Sequence, residues 1–113
     1  MPTKDLNRYW IYILECKNGK YYTGYTNDLA RRYLLHINGK GAKFTRTYKP
    51  VGVAQSWKLT GTKAQAMKVE AFIKQKPRAF KDGLVKNPRA LKRALFIKFG
   101  YEFKIIKSAF QNL

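Results

Sequence analysis

Tyr9-Trp10-Ile11-Tyr12-Ile13-Leu14, then Lys17-Asn18-Gly19-Lys20, then Tyr21-Tyr22-Thr23-Gly24-Tyr25-Thr26: these three stretches decide the fold. The first is β-branched and aromatic without a polar break, as expected of a strand buried on both faces. Asn18-Gly19 is the strongest short hairpin signal, because both residues tolerate the positive φ of a tight turn between twisted strands. The chain therefore returns at once, with residues 20–26 as the second strand. Gly24 adds nothing to strand propensity, so its presence predicts a close approach of the backbone to another group.

Outward from the hairpin the periodicity becomes helical. Asn27 is a suitable cap for a helix over 28–38, stopped by Gly39 and Gly41. Its apolar stripe is Leu29, Tyr33, Leu34 and Ile37, while Asp28, Arg32 and His36 share another face. Residues 39–50 carry Lys40, Lys43, Arg46 and Lys49 with the aromatics Phe44 and Tyr48, and read as a mobile basic loop. Residues 51–59 form a third strand. Thr62 caps a helix to about residue 75 whose buried arc, at ~100° per residue, is Ala66, Val69, Phe72 and Ile73; Glu70 projects between Ala66 and Ile73. Pro77 ends that helix and starts a short one. Asn87-Pro88, a cap followed by proline in the first turn, opens another that runs to Phe99 before Gly100. Residues 101–113 carry two patterns: Tyr101, Phe103 and Ile105 alternate like a strand, whereas Ile106, Ala109, Phe110 and Leu113 fit a helical stripe. The helix is the preferred reading.

The whole chain, 113 residues with 45% hydrophobic content, is enough for one self-supporting domain. Its 24 Lys+Arg against 6 Asp+Glu leave a net charge of +18. Such a chain binds polyanions by displacing their counterions. One cysteine, Cys16, excludes an internal disulfide and a four-ligand zinc site. One histidine, His36, excludes paired-histidine acid–base chemistry. The acids, Asp5, Glu15, Asp28, Glu70, Asp82 and Glu102, are too scattered for a two-metal carboxylate site. No apolar run approaches the ~20 residues that span a bilayer. With no secretory apolar segment near the start either, the expected address is the cytoplasm and no membrane partner is expected.

If the polyanion is a nucleic acid and is cut, the available tools are phenols, guanidinium and ammonium groups, and one carboxylate holding one metal ion. Tyr12 in Trp10-Ile11-Tyr12-Ile13-Leu14, Tyr22-Thr23-Gly24 ten residues on, Arg32 in Asn27-Asp28-Leu29-Ala30-Arg31-Arg32, His36 and the later helical Glu70 together resemble the GIY-YIG endonuclease domain. Gly39-Lys40-Gly41-Ala42-Lys43-Phe44-Thr45-Arg46 is similar to the loop of its small stand-alone bacterial members. The resemblance covers about residues 9–85, which reads as a nuclease-like core; residues 86–113 read as a basic C-terminal helical extension of the same single domain, 1–113.

That resemblance implies an α+β fold, a three-stranded antiparallel sheet flanked by helices, here with extra C-terminal helices. It implies metal-dependent hydrolysis of DNA phosphodiesters, with RNA a second candidate substrate and branched, flapped or damaged DNA, as in DNA repair, a suitable target. Carried over by position, Glu70 would hold a single Mg²⁺ or Mn²⁺, and Arg32 would fork onto the scissile phosphate. Tyr12 and Tyr22 would contact the attacking water and the phosphate, one of them as general base, with Tyr12 preferred. His36 would position Tyr12 or shuttle its proton. Gly24, Arg31, Lys40, Lys43 and Arg46 are the candidate nucleic-acid contacts. Three positions depart from the family pattern: Trp10 replaces the first glycine, Thr23 is the middle residue of the second motif, and Tyr25 stands where some members have a lysine. The missing cation would be supplied by Lys40 or Lys43.

Plainer readings exist for each residue. Tyrosines on strands are mostly packing residues, Arg31 is better read as a solvated helix face, and a structural ion pair with one of the many lysines is the plainer, less favoured reading of Glu70. Cys16 and Trp57 read as core; Phe44 and Tyr48 are the better candidates for base stacking. The alternative function is a non-catalytic basic module of the same fold that grips DNA or RNA.

Overall fold

Asn18 and Gly19 take φ of +71° and +78°, the left-handed turn that the Asn-Gly pair predicts. The turn joins β1 (Asn7–Cys16) to β2 (Tyr21–Thr26) in antiparallel register, with Tyr12 opposite Gly24 and Leu14 opposite Tyr22. The computed structural model describes residues 7–109. After the hairpin come α1 (Leu29–Ile37), α2 (Lys43–Thr47), β3 (Pro50–Gly61), α3 (Lys63–Lys74), α4 (Arg78–Lys86), α5 (Ala90–Phe99) and β4 (Ile105–Lys107).

The strands form one antiparallel sheet in the order β2-β1-β3-β4. The apolar run of β1 is buried on both faces because both faces are covered. Ile11 and Ile13 face one way, into a core with Trp57 and Leu59 of β3, Ala66, Val69, Phe72 and Ile73 of α3, and Leu84, Leu91 and Leu95 of α4 and α5. Tyr12, Leu14 and Cys16 face the other way, against Leu29 and Tyr33 of α1. The buried arc expected for α3 is the one observed. Trp57 is core, its indole N–H donating to the Pro88 carbonyl at 2.8 Å.

Several expectations require correction. The sheet has four strands, not three. β4 adds to the free edge of β3 with Ile105 opposite Leu59, so the strand-like alternation of Phe103 and Ile105, both buried, prevails over the helical stripe. Ile106 is 60% exposed, the opposite of what that stripe required; its other members Phe110 and Leu113 lie outside the described residues. The cap of α1 is Asp28 rather than Asn27: its carboxylate accepts from the Arg31 amide at 3.2 Å. Within α1, Leu34 is exposed and His36 is buried, because His36 finds hydrogen-bond partners inside the fold. The basic loop contains α2. Asn87 closes α4 and α5 begins from Arg89, without a side-chain cap, so Pro88 stands before the helix rather than in its first turn.

Candidate active site

Tyr12 and Tyr22 lie on the same face of adjacent strands, diagonal across the β1–β2 ladder, with ring centroids 6.5 Å apart. Gly24 makes this possible. A Cβ at Gly24 would stand 2.5 Å from the Tyr12 hydroxyl, so only glycine lets the Tyr12 ring cross the β2 backbone toward the sheet edge. The close approach read from the sequence is thus to Tyr12 itself.

The Asp28 cap fixes the first turn of α1, where Arg31 and Arg32 project over that edge. One turn later His36 is wholly buried behind Tyr12, its Nε2 2.9 Å from the Tyr12 hydroxyl and its Nδ1 2.7 Å from the Thr45 hydroxyl of α2. From the opposite face of the sheet, α3 starts in a capping box in which Thr62 and Gln65 satisfy each other's backbone amides at 3.1 Å. This sets the rotation of the helix so that Lys63 and Glu70, seven residues apart, share one face.

These elements enclose an open cleft of about 510 Å³. Tyr12, Tyr22 and Gly24 form its floor, Arg31 and Arg32 one wall, and Lys63 and Glu70 the other, with Tyr9, Tyr25, Thr26, Asn27 and Leu35 at the rim. Six expected residues therefore converge: Tyr12, Tyr22, Gly24, Arg31, Arg32 and Glu70. His36 supports Tyr12 from behind without lining the cleft. Lys40, Lys43 and Arg46 are exposed but do not line it. The additional cation in the cleft is Lys63, which the sequence reading passed over; its place directly after the Thr62 cap and two helical turns before Glu70 was the available signal. Phe44 is stacked on Tyr22 at 5.9 Å, and Tyr48 packs on Phe44 at 5.0 Å, so both rings buttress the site.

A family model described as the GIY-YIG catalytic domain matches residues 8–82. The chain belongs to the GIY-YIG family. It is 37% identical over 99 residues to a UPF0213 protein of Bacillus velezensis, covering 88% of this chain and 99% of that one. To the UPF0213 protein YazA of Bacillus subtilis it is 36% identical over 96 residues, covering 83% and 94%. A solution NMR structure of the UPF0213 protein BH0048 from Bacillus halodurans is 43% identical, covers 70% of this chain and 83% of its own, and superposes with a TM-score of 0.45. GIY-YIG proteins are a nuclease family that binds nucleic acid and generally uses a divalent ion. No helix among the described residues is long and apolar enough to cross a membrane.

The electrostatics of this GIY-YIG site follow from burial. Burial pushes the Tyr12 phenol up to about 12, partly offset by the hydrogen-bonding and charge of Arg32. Tyr22 is raised by burial and then by the nearby Glu70 carboxylate. Burial, reinforced by the Arg32 charge, lowers His36 to about 4, which leaves the imidazole neutral at physiological pH. Both phenols thus rest protonated.

Among the described residues Glu70 is the only acid lining the cleft, and its side chain is 21% exposed. Lys74 approaches it at 3.7 Å, one turn along the same helix, with its own side chain 46% exposed. An exposed i,i+4 pair of that kind is worth only about 0.3–0.5 kcal/mol, too little to hold the carboxylate against a divalent ion. No cluster of three His, Cys, Asp or Glu residues exists among the described residues. One hard oxygen donor beside the cationic side chains Arg31, Arg32 and Lys63 fits an ion of the Mg²⁺ type, which is usually bound through one or two carboxylates and keeps several waters.

Proposed function

We propose that this protein is a metal-dependent endonuclease that hydrolyses phosphodiester bonds in DNA. The observation that carries the reading is the meeting of Tyr12, Tyr22, Arg32 and Glu70, distant in sequence, in one solvent-open cleft. In this reading Arg32 forks onto the scissile phosphate and disperses the charge that grows there. Arg31 and Lys63 bind neighbouring phosphates. Tyr22 orients the attacking water. Tyr12 is the general base: it takes a proton from the water while its own proton passes to His36 Nε2, so the phenol stays neutral overall. The hydroxide forms its bond to phosphorus, the bond to the leaving 3′ oxygen breaks, that oxygen is protonated from solvent, and the proton held on His36 returns to Tyr12 as Tyr12 releases its own to solvent. Glu70 would hold the divalent ion, which would supply charge neutralisation at the phosphate and the leaving oxygen.

A phenol at about 12 is a poor base alone, which is why the His36 contact matters more than any other at Tyr12. Phosphate contacts position without reading bases, so selection by shape, such as a branched, flapped or damaged duplex, suits the site. A binding module without cleavage remains the competing reading, favoured by the Lys74–Glu70 contact. Nicking of supercoiled plasmid in Mg²⁺ or Mn²⁺ separates the two. The wild type should cut; Glu70→Ala and Arg32→Ala should lose at least about a hundredfold in rate, with Glu70→Ala still shifting DNA on a gel. A wild type that binds every DNA topology offered and cuts none rules out the enzyme.

A further inference from the structure

His36 and Thr45 are buried behind Tyr12, and Arg32, the other group at the Tyr12 hydroxyl, can only donate, so the hydroxyl and ring protons are set by the contacts among Tyr12, His36 and Thr45. His36 is neutral and carries one ring proton, and the hydroxyls of Tyr12 and Thr45 carry one each. The Thr45 hydroxyl lies 2.9 Å from the Ala42 carbonyl oxygen, which can only accept. If Thr45 instead turned its proton to His36 Nδ1, its oxygen would face the carbonyl lone pairs at that same distance. Only one arrangement makes every contact a hydrogen bond. Thr45 donates to Ala42, His36 Nδ1–H donates to Thr45, and the Tyr12 hydroxyl donates to the bare Nε2.

The backbone is shaped to hold this chain of bonds. A Cβ at Gly41 would collide with His36 Nδ1 and the carbons beside it, so the ring is seated directly against the Gly41 backbone. Ala42 and Thr45 are the start and first turn of α2, where the Thr45 amide also donates to the Ala42 carbonyl at 3.1 Å. The short helix thereby presents its acceptor at a fixed place behind the imidazole.

We propose that Thr45 is a positioning residue of the site: by taking the Nδ1 proton it holds His36 as the Nδ1–H tautomer and leaves Nε2 free to receive the Tyr12 proton. The proposal rests on the reading of Tyr12 as general base. In the reacting state the proton balance closes within the chain. The water O–H breaks as a new Tyr12 O–H forms, the old Tyr12 proton goes to Nε2, and the transient imidazolium donates from both nitrogens, to Tyr12 and to Thr45. With Thr45 unable to accept, the ring loses its reason to carry the proton on Nδ1. The Nε2–H tautomer then donates to Tyr12, and the phenol has nowhere to send its proton.

The chain's single histidine makes the test direct. ¹⁵N NMR of the ring at neutral pH should show Nδ1 protonated and Nε2 bare in the wild type. In Thr45→Val, nearly the same shape without the hydroxyl, the pattern should shift toward protonated Nε2. Plasmid nicking should fall by roughly tenfold to a hundredfold, and Thr45→Ser should restore both tautomer and rate. Thermal midpoints of the three proteins show whether any loss is unfolding. A wild-type ring protonated on Nε2, or a Val variant with unchanged tautomer and rate, overturns the proposal. If the wild type cuts nothing, the nuclease reading fails, while the tautomer spectra still decide whether Thr45 governs His36.

Discussion

Gly24 and His36 show how closely the site depends on single positions. Gly24→Ala places a methyl 2.5 Å from the Tyr12 hydroxyl. The ring must move off its His36 contact, and overpacking of this kind costs typically about 1–3 kcal/mol. The expected outcome is a lower urea midpoint together with loss of nicking, whereas a change of stability alone would show that Tyr12 tolerates displacement. His36 makes stability depend on pH. The folded protein keeps it neutral down to about 4, while its ordinary value is 6.5, so between those values the unfolded chain binds the extra proton. Stability therefore falls as pH drops from about 6.5 to about 4, by on the order of 3 kcal/mol at most. Urea midpoints at the two ends of that range should separate in the wild type and converge in His36→Gln.

Among the elements, α3 carries the most consequence, because it alone brings a carboxylate and an ammonium group to the cleft from the far face of the sheet. Its start depends on the reciprocal Thr62–Gln65 bonds. Thr62→Ala should cost about 1 kcal/mol, seen as a lower thermal midpoint. It should also weaken DNA cleavage more than a similarly destabilising change in α5, because fraying the first turn releases Lys63. An equal loss of rate in both variants would show that stability, not placement, is being measured. β4 offers the complementary lesson. Three residues suffice to make a fourth strand because Ile105 and Phe103 are buried as they pair or lead in, and β3 would otherwise present an open edge.

At the scale of the molecule, charge dominates. Among the described residues only two ion pairs form, Lys74–Glu70 and Arg78–Asp82, so most of the 24 cationic side chains have no acid to answer them. A bound polyanion relieves that repulsion. Binding should therefore weaken steeply with salt, and removing one phosphate contact should flatten the slope of log K against log salt by about 1. Lys63→Ala should do this and slow cleavage as well. Neutralising Lys40, Lys43 or Arg46, outside the cleft, should lower affinity evenly across sequences with little effect on the rate of bound substrate. A salt slope unchanged by all four would place the nucleic-acid face elsewhere.

Much of this was legible in the chain itself. The hairpin follows from Asn18-Gly19 between apolar runs and the α3 arc from its period, while the candidate residues come from the resemblance to the GIY-YIG family that the order of phenols, guanidinium and acid carries. Local chemistry determines such features, since turn geometry, capping and amphipathic spacing act within a few residues. Choices between locally equivalent options were not legible: Asp28 over Asn27 as cap, strand over helix at Ile105, His36 inward and Leu34 outward. The cap was decided by whether Asn27 or Asp28 was the residue placed to accept from the first-turn Arg31 amide, the last two by which neighbour the rest of the fold brought alongside. The same holds for Lys63 in the cleft and Thr45 behind His36. A side chain's periodicity shows which way it points, but only the packed molecule supplies the partner that makes a buried histidine or a lone carboxylate tolerable.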